Sequence, residues 1–261
     1  MKTLTMLKII PIPAFADNYI WTLHDNQHAI VIDPGDAAPV RAYLDKHHLQ
    51  LGAILVTHHH RDHTGGILEL VEVYNSPVYG PRLEKIPGIT HPLGEGDIVE
   101  IAALNLRLQV IDIPGHTCGH IAYLWNNSVF CGDTLFGCGC GKLFEGTHAQ
   151  LHHSLQRLAA LPDDTLAYCT HEYTELNLPF ALACEPDNQQ LKQREQDTHA
   201  LREQNQTTLP FTMALEKATN PFLRCNEPAI IHNLELKLGH QLPANDELAV
   251  FTAMRKLRDL C

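Results

Sequence analysis

The sequence holds no run of about 18 uninterrupted apolar residues, which excludes a helical membrane span. It also lacks any C-x2-C pair, so its eight cysteines do not build a zinc ribbon. Basic residues are scarce: 19 Lys and Arg against 30 Asp and Glu leave a formal charge of −11, the wrong sign for a chain whose main partner is a nucleic-acid backbone. There is no internal repeat and no low-complexity tract. With 44% hydrophobic and 19% charged residues, the composition excludes a disordered, collagen-like or coiled-coil chain. What is left is a chain of 261 residues, enough for one large domain or a domain with a smaller appendage. A chain of that size buries roughly 70–75% of its unfolded surface and needs no disulfide staples.

Cys118, Cys131, Cys138, Cys140 and Cys169 sit beside expected strands or turns, and Cys261 is terminal. The thiols therefore read as reduced and the protein as cytoplasmic. A secretory reading rests on Lys2, a short apolar run and Ala14-Phe15-Ala16, but Lys8, Pro11 and Pro13 interrupt that run.

Short β-branched runs open the chain at 7–12, 19–23 and 29–32. A helical pattern follows at 39–47, then a buried strand at 53–57. Gly65-Gly66 precedes a second helix through Tyr74. Further strands are expected at 98–101, 106–113, 121–125 and 129–131, then a helix at 149–161 and a last strand at 165–169. Strands and helices mixed in this way indicate an α/β sandwich with sheet inside and helices outside. Beyond Thr170 no further strand is expected. The stretch 185–206 is polar and reads as an exposed helix, while 228–238 and 246–260 carry helical apolar spacing, with Leu248, Phe251, Met254 and Leu257 on one face. The last ninety or so residues are thus a helical appendage.

The informative stretch is Thr57-His58-His59-His60-Arg61-Asp62-His63, directly after the buried strand. If the extended conformation persists, residues two apart point the same way, so His58 and His60 converge on one ion. Asp62 and His63 lie past the bend and face a neighbouring ion, leaving His59 and Arg61 to point elsewhere. Three more donors sit just past expected strands: His116, Asp133 and His171. Four strands therefore release a candidate ligand at their carboxyl ends, where open α/β sheets build their sites. Two metal sites are chemically natural: His58, His60 and His116 for one ion, Asp62, His63 and His171 for the other, and Asp133 bridging through its two oxygens. Nitrogen and oxygen donors without thiolate suit zinc, iron or manganese alike. Two such cations about 3.5–4 Å apart hold a bridging hydroxide, and zinc brings the pKa of its water to about 7.

His58-x-His60-x-Asp62-His63, followed by His116, Asp133 and His171, resembles the metallo-β-lactamase superfamily. The likeness narrows to the glyoxalase II, or hydroxyacylglutathione hydrolase, family at Asp17-Asn18-Tyr19-Ile20-Trp21, Pro114-Gly115-His116-Thr117-x-Gly119-His120, Gly132-Asp133-Thr134-Leu135-Phe136, His171-Glu172-Tyr173-Thr174, Glu185-Pro186-Asp187-Asn188 and Asn220-Pro221-Phe222. It covers essentially the whole chain. The resemblance implies an αββα sandwich over 1–172 and an all-helical substrate-binding domain over 173–261. It implies two divalent metal ions, most readily zinc, and hydrolysis of S-D-lactoylglutathione to glutathione and D-lactate by a monomer. Asp62 and Asp133 then help hold the attacking hydroxide. Carried over by position, Lys142 is the glutathione-contacting cation, Tyr173 stands beside the thioester, and Arg255 and Arg258 hold glutathione's carboxylate end. Phe144 departs from the family, some of whose members have Tyr there, so one hydroxyl contact to the peptide is lost.

Competing readings make different predictions. A mononuclear-iron persulfide dioxygenase shares the histidine core and would consume oxygen with glutathione persulfide. A β-lactam hydrolase has no use for the appendage. A metal or redox sensor would bind metal tightly and hydrolyse no thioester. Gly137-x-Gly139-x-Gly141-Lys142 lacks the spacer and the Ser/Thr of a phosphate loop.

Overall fold

The computed structural model describes residues 7–260. Lys2 and Cys261, both singled out above, lie outside them. The described chain divides into two compact units: one of residues up to Asp112 together with Cys118–Gly132, the other of Ile113–Thr117 together with the chain from Asp133 onward.

The first unit opens with an antiparallel meander, β1 (Lys8–Ala14), β2 (Asn18–His24) and β3 (His28–Ile32). Ala14-Phe15-Ala16 thus belongs to the end of β1 and its turn. Helix α1 (Ala37–His47) crosses to β4 (Gln50–Leu55), which runs parallel to β3. Asp36 caps α1 by accepting from Ala38 N–H at 2.9 Å, and His48 ends it in the left-handed conformation. The one-turn helix α2 (Arg61–Thr64), then α3 (Ile67–Tyr74), lead to β5 (Val78–Pro81) and β6 (His91–Leu93), which complete a six-stranded sheet in the order β1 to β6. Ala53, Ile54, Leu55 and Val56 are all fully buried, as expected of a parallel strand covered on both faces. Val40 and Leu44 of α1, with Ile67 and Leu70 of α3, pack against that sheet. A second, antiparallel run follows in β7 (Ile98–Ile101), β8 (Leu106–Asp112), β9 (Ile121–Trp125) and β10 (Ser128–Gly132). Tyr123 of β9 is fully buried and donates its hydroxyl to the Val56 carbonyl at 2.8 Å, tying the two strand layers together.

The second unit begins with a hairpin, β11 (Leu135–Phe136) and β12 (Gly139–Cys140). Helix α4 (His148–Ala159) starts at a capping box between Thr147 and Gln150. Strand β13 (Leu166–Cys169) leads to α5 (Thr174–Cys184), α6 (Gln189–Glu203), β14 (Phe211–Thr212), α7 (Met213–Thr219), α8 (Pro228–Leu238) and α9 (Glu247–Arg258). No described helix is long and apolar enough to cross a membrane.

The helical appendage is present, with three corrections. A strand does occur beyond Thr170: β14 pairs antiparallel with β13 through only two residues, too few to show alternation in sequence. The polar stretch read as one exposed helix over 185–206 is helical only at Gln189–Glu203, and Leu191, Arg194 and Thr198 line a buried stripe on it. Helix α5 was not foreseen, because Pro179 sits inside it and its apolar residues lack a helical period.

Candidate metal centre

The donors of the first unit cluster around a buried carboxylate. Strand β4 ends at Leu55 and the chain bends at Thr57-His58, so the convergence of His58 and His60 comes from that bend and not from a continued strand. His58 Nε2 and His60 Nδ1 lie 3.1 Å apart. The bend is held by Asp33, which is 2% exposed: its two carboxylate oxygens accept from Thr57 N–H and from the Thr57 hydroxyl, both at 2.7 Å. With its proton given to Asp33, the Thr57 hydroxyl accepts from His58 Nδ1 at 3.1 Å, which leaves the Nε2 lone pair of His58 outward. Asp33 also faces His63 Nδ1 at 3.1 Å, and His63 Nε2 lies 3.4 Å from Asp62 Oδ2. Asp62 and His63 ride on α2, a turn not foreseen ahead of the glycine pair. Asn18 donates to Asp62 Oδ2 at 3.1 Å. His59 turns away to Glu84, 2.9 Å distant, and Arg61 is exposed. His120 stacks on His58 with centroids 4.6 Å apart.

The second unit gathers three donors from three places in the sequence. His171 Nε2 and His116 Nε2 lie 3.3 and 3.6 Å from Asp133 Oδ2. His116 donates Nδ1–H to the Lys142 carbonyl at 2.7 Å, which again leaves Nε2 as the electron-pair donor. Asp133 follows Gly132, whose φ of +48° turns the chain sharply out of β10; a Cβ there would sit 2.4 Å from Thr57 Oγ1. Tyr173 stacks flat on His171 at 4.6 Å.

All seven donors belong to groups of His and Asp able to hold a metal ion. The first unit offers three imidazoles and a carboxylate and the second two imidazoles and a carboxylate, with no thiolate in either; with Nδ1 of His58 and of His116 engaged and Nε2 presented, each set suits a divalent cation. Asp33 escaped the sequence reading. The signal was available, since it directly follows β3 just as the other donors follow their strands.

The residues expected to meet substrate differ in setting. Lys142 is exposed, its ammonium 5.9 Å from the Phe144 ring centroid. Arg255 is 5% exposed and donates to the Cys140 carbonyl at 3.1 Å and to Asp259 at 3.0 Å. Arg258 is half-buried, 3.4 Å from both the Leu176 carbonyl and Asn177 Oδ1. None of the seven described cysteines is in a disulfide, and six of them are buried. Burial pushes Cys138 up to about 12 and Cys140 up to about 11, which makes both poor nucleophiles and argues against a redox sensor.

Residues 17–171 match the family model of the metallo-beta-lactamase superfamily, and residues 172–261 match the hydroxyacylglutathione hydrolase C-terminus. A hydroxyacylglutathione hydrolase of Nitrosomonas eutropha is 55% identical over 250 residues, covering 96% of this chain and 97% of its own. One of Methylobacillus flagellatus is 53% identical, covering 97% and 99%. The crystal structure of ETHE1 from Myxococcus xanthus superposes with a TM-score of 0.65 at 26% identity, covering 97% of this chain and 99% of its own. That of the BLEG-1 B3 metallo-beta-lactamase gives 0.61 at 23% identity over 84% and 99%, a likeness of fold alone.

Proposed function

The chain belongs to the hydroxyacylglutathione hydrolase family of the metallo-β-lactamase superfamily, an αββα fold with a C-terminal helical domain, and we propose on that premise that it hydrolyses S-D-lactoylglutathione to glutathione and D-lactate. His58, His60 and His116 would hold one divalent cation and Asp62, His63 and His171 a second, with Asp133 shared. Bound there, the cations supply Lewis-acid polarisation of the thioester carbonyl and a water acidified to about pKa 7. Asp33, through Thr57, keeps the His58 imidazole in the tautomer that coordinates, and its charge faces His63. Lys142 and Arg258 offer positive charge to the anionic tripeptide, against the field of a chain carrying −11. Tyr173 lies beside the reacting acyl group, and Arg255 acts indirectly by holding the Cys140 carbonyl. The thiolate that leaves is a far better leaving group than an amine, so the chain needs no strong general acid. In this reading residues 1–172 carry the chemistry and 173–261 the substrate contacts. Zinc is the metal, and the working form is a cytoplasmic monomer; described cysteines outside any disulfide suit a reducing compartment.

The observation that carries the proposal is the thiolate-free set of five imidazoles and two carboxylates presented at strand ends. The test is a hydrolysis assay on protein of measured metal content, comparing S-D-lactoylglutathione with S-D-lactoyl-N-acetylcysteamine. Strong preference for the glutathione thioester is expected. No hydrolysis of either, with oxygen uptake on glutathione persulfide, would overturn the proposal.

A further inference from the structure

The hairpin that follows Asp133 and precedes Lys142 has strands of two residues each, far too short to hold itself. Its backbone is gripped from the helical side by a buried polar network. Cys138, in the left-handed region at φ 56°, donates its N–H to Glu216 Oε2 at 3.1 Å. Asn220 Nδ2 donates to the Phe136 carbonyl at 3.1 Å, to the Gly139 carbonyl at 2.8 Å and to Glu216 Oε2 at 2.8 Å. Glu216 is 0% exposed and paired with Arg194, itself 5% exposed. A fully buried ion pair is a poor source of stability, since apolar residues of the same volume generally serve as well. What the pair supplies here is a fixed acceptor for the strained tip of the hairpin.

We propose that Arg194, Glu216 and Asn220 form a positioning clamp that sets the Gly137–Lys142 segment and, through it, affinity for the glutathione half of the thioester. This rests on Lys142 meeting that half. The two feet of the hairpin are anchored differently. Asp133 follows directly on the buried strand β10, whereas Lys142 is held by the His116 bond to its carbonyl and by Gly141 N–H donating to the Thr134 carbonyl at 3.1 Å. With its carbonyl kept in place by His116, Lys142 answers to a loosened clamp through the Gly137–Gly141 backbone and its own side chain, while Asp133 and His116 stay where they are.

The test is Asn220→Ser, which keeps an oxygen to cap the turn at Phe222 but removes the amide donors. In zinc-loaded protein, KM for S-D-lactoylglutathione should rise about tenfold with kcat within about twofold. Efficiency on S-D-lactoyl-N-acetylcysteamine and the zinc content should stay within about twofold, and amide exchange at Cys138 and Gly141 should speed up. Equal losses on both thioesters, loss of zinc, or an unchanged KM would overturn the clamp. If the variant does not fold, native-state exchange of the wild type decides: the Cys138 amide must be protected as well as core strands, and exchange as fast as an exposed loop overturns the proposal. Wild-type protein inactive on the glutathione thioester would instead overturn the functional reading, and this inference with it.

Discussion

At the residue scale, one buried carboxylate does more than any single donor. Asp33 receives the Thr57 backbone and hydroxyl and faces His63, so removing its charge should loosen two of the proposed ligands together. Asp33→Asn should weaken zinc affinity by about 10–100-fold, measured by competition with a chelating dye, while the fold is kept. Asp133→Ala should strip metal and turnover in parallel, by at least about a hundredfold; a variant retaining full zinc and rate would refute its shared role. Arg255 is the instructive contrast among the cations. Its position near the chain end marks it as a substrate contact by family likeness, yet its guanidinium lies inside, bonded to Cys140 and Asp259. A side chain's neighbours across more than a hundred residues leave no trace in its local sequence.

At the element scale, capping side chains fix where the helices start. Thr147 and Gln150 close a capping box at the start of α4, and Thr147→Ala should cost about 1 kcal/mol, read as a lower denaturant midpoint with unchanged m-value. The Glu185-Pro186-Asp187-Asn188 motif acts structurally in the same way. Asn188 caps α6 by accepting from Leu191 N–H at 3.1 Å, and Glu185 accepts from Arg224 at 2.8 and 3.0 Å. The face of α4 against α9 carries a pH dependence. His148 and His152 pack on Phe251, and burial holds both below the usual histidine value of 6.5, helped by Lys256 for His148 and opposed by Glu247 for His152. Because the unfolded chain takes up these protons more readily, stability is full above pH 6.5 and is lost as pH falls toward the depressed values. Thermal melts should show that loss, and the double variant His148→Gln/His152→Gln should flatten it. A wild-type midpoint independent of pH below 6.5 would exclude this seam as the cause. The apolar stripe of α9 runs through Val250, Phe251 and Met254, all buried, while Leu248 is 37% exposed. Spacing identified the face to within a residue or so and left its edge to packing.

At the scale of the whole molecule, metal and fold should be linked, because the donors come from four stretches of chain, each just past the end of a strand, whose placement depends on the folded sheets. Chelation should lower the melting temperature and abolish thioester hydrolysis, and added zinc should restore both; a melting temperature indifferent to chelation would argue against such a centre. The sequence by itself determined the α/β character, the helical C-terminal part, the four strands with donors beyond their carboxyl ends and the side-chain chemistry suited to a divalent cation. These follow from local periodicity and residue type, which a linear chain displays directly. Tertiary structure decided the rest: that a bend at Thr57 turns His58 toward His60, that Asp33 stands behind them, that a proline-bearing segment is helix, and that Arg194, Glu216 and Asn220 grip a hairpin far along the chain. Each of these depends on which distant groups are left to satisfy a buried donor or acceptor, and that is settled only when the chain has closed around them.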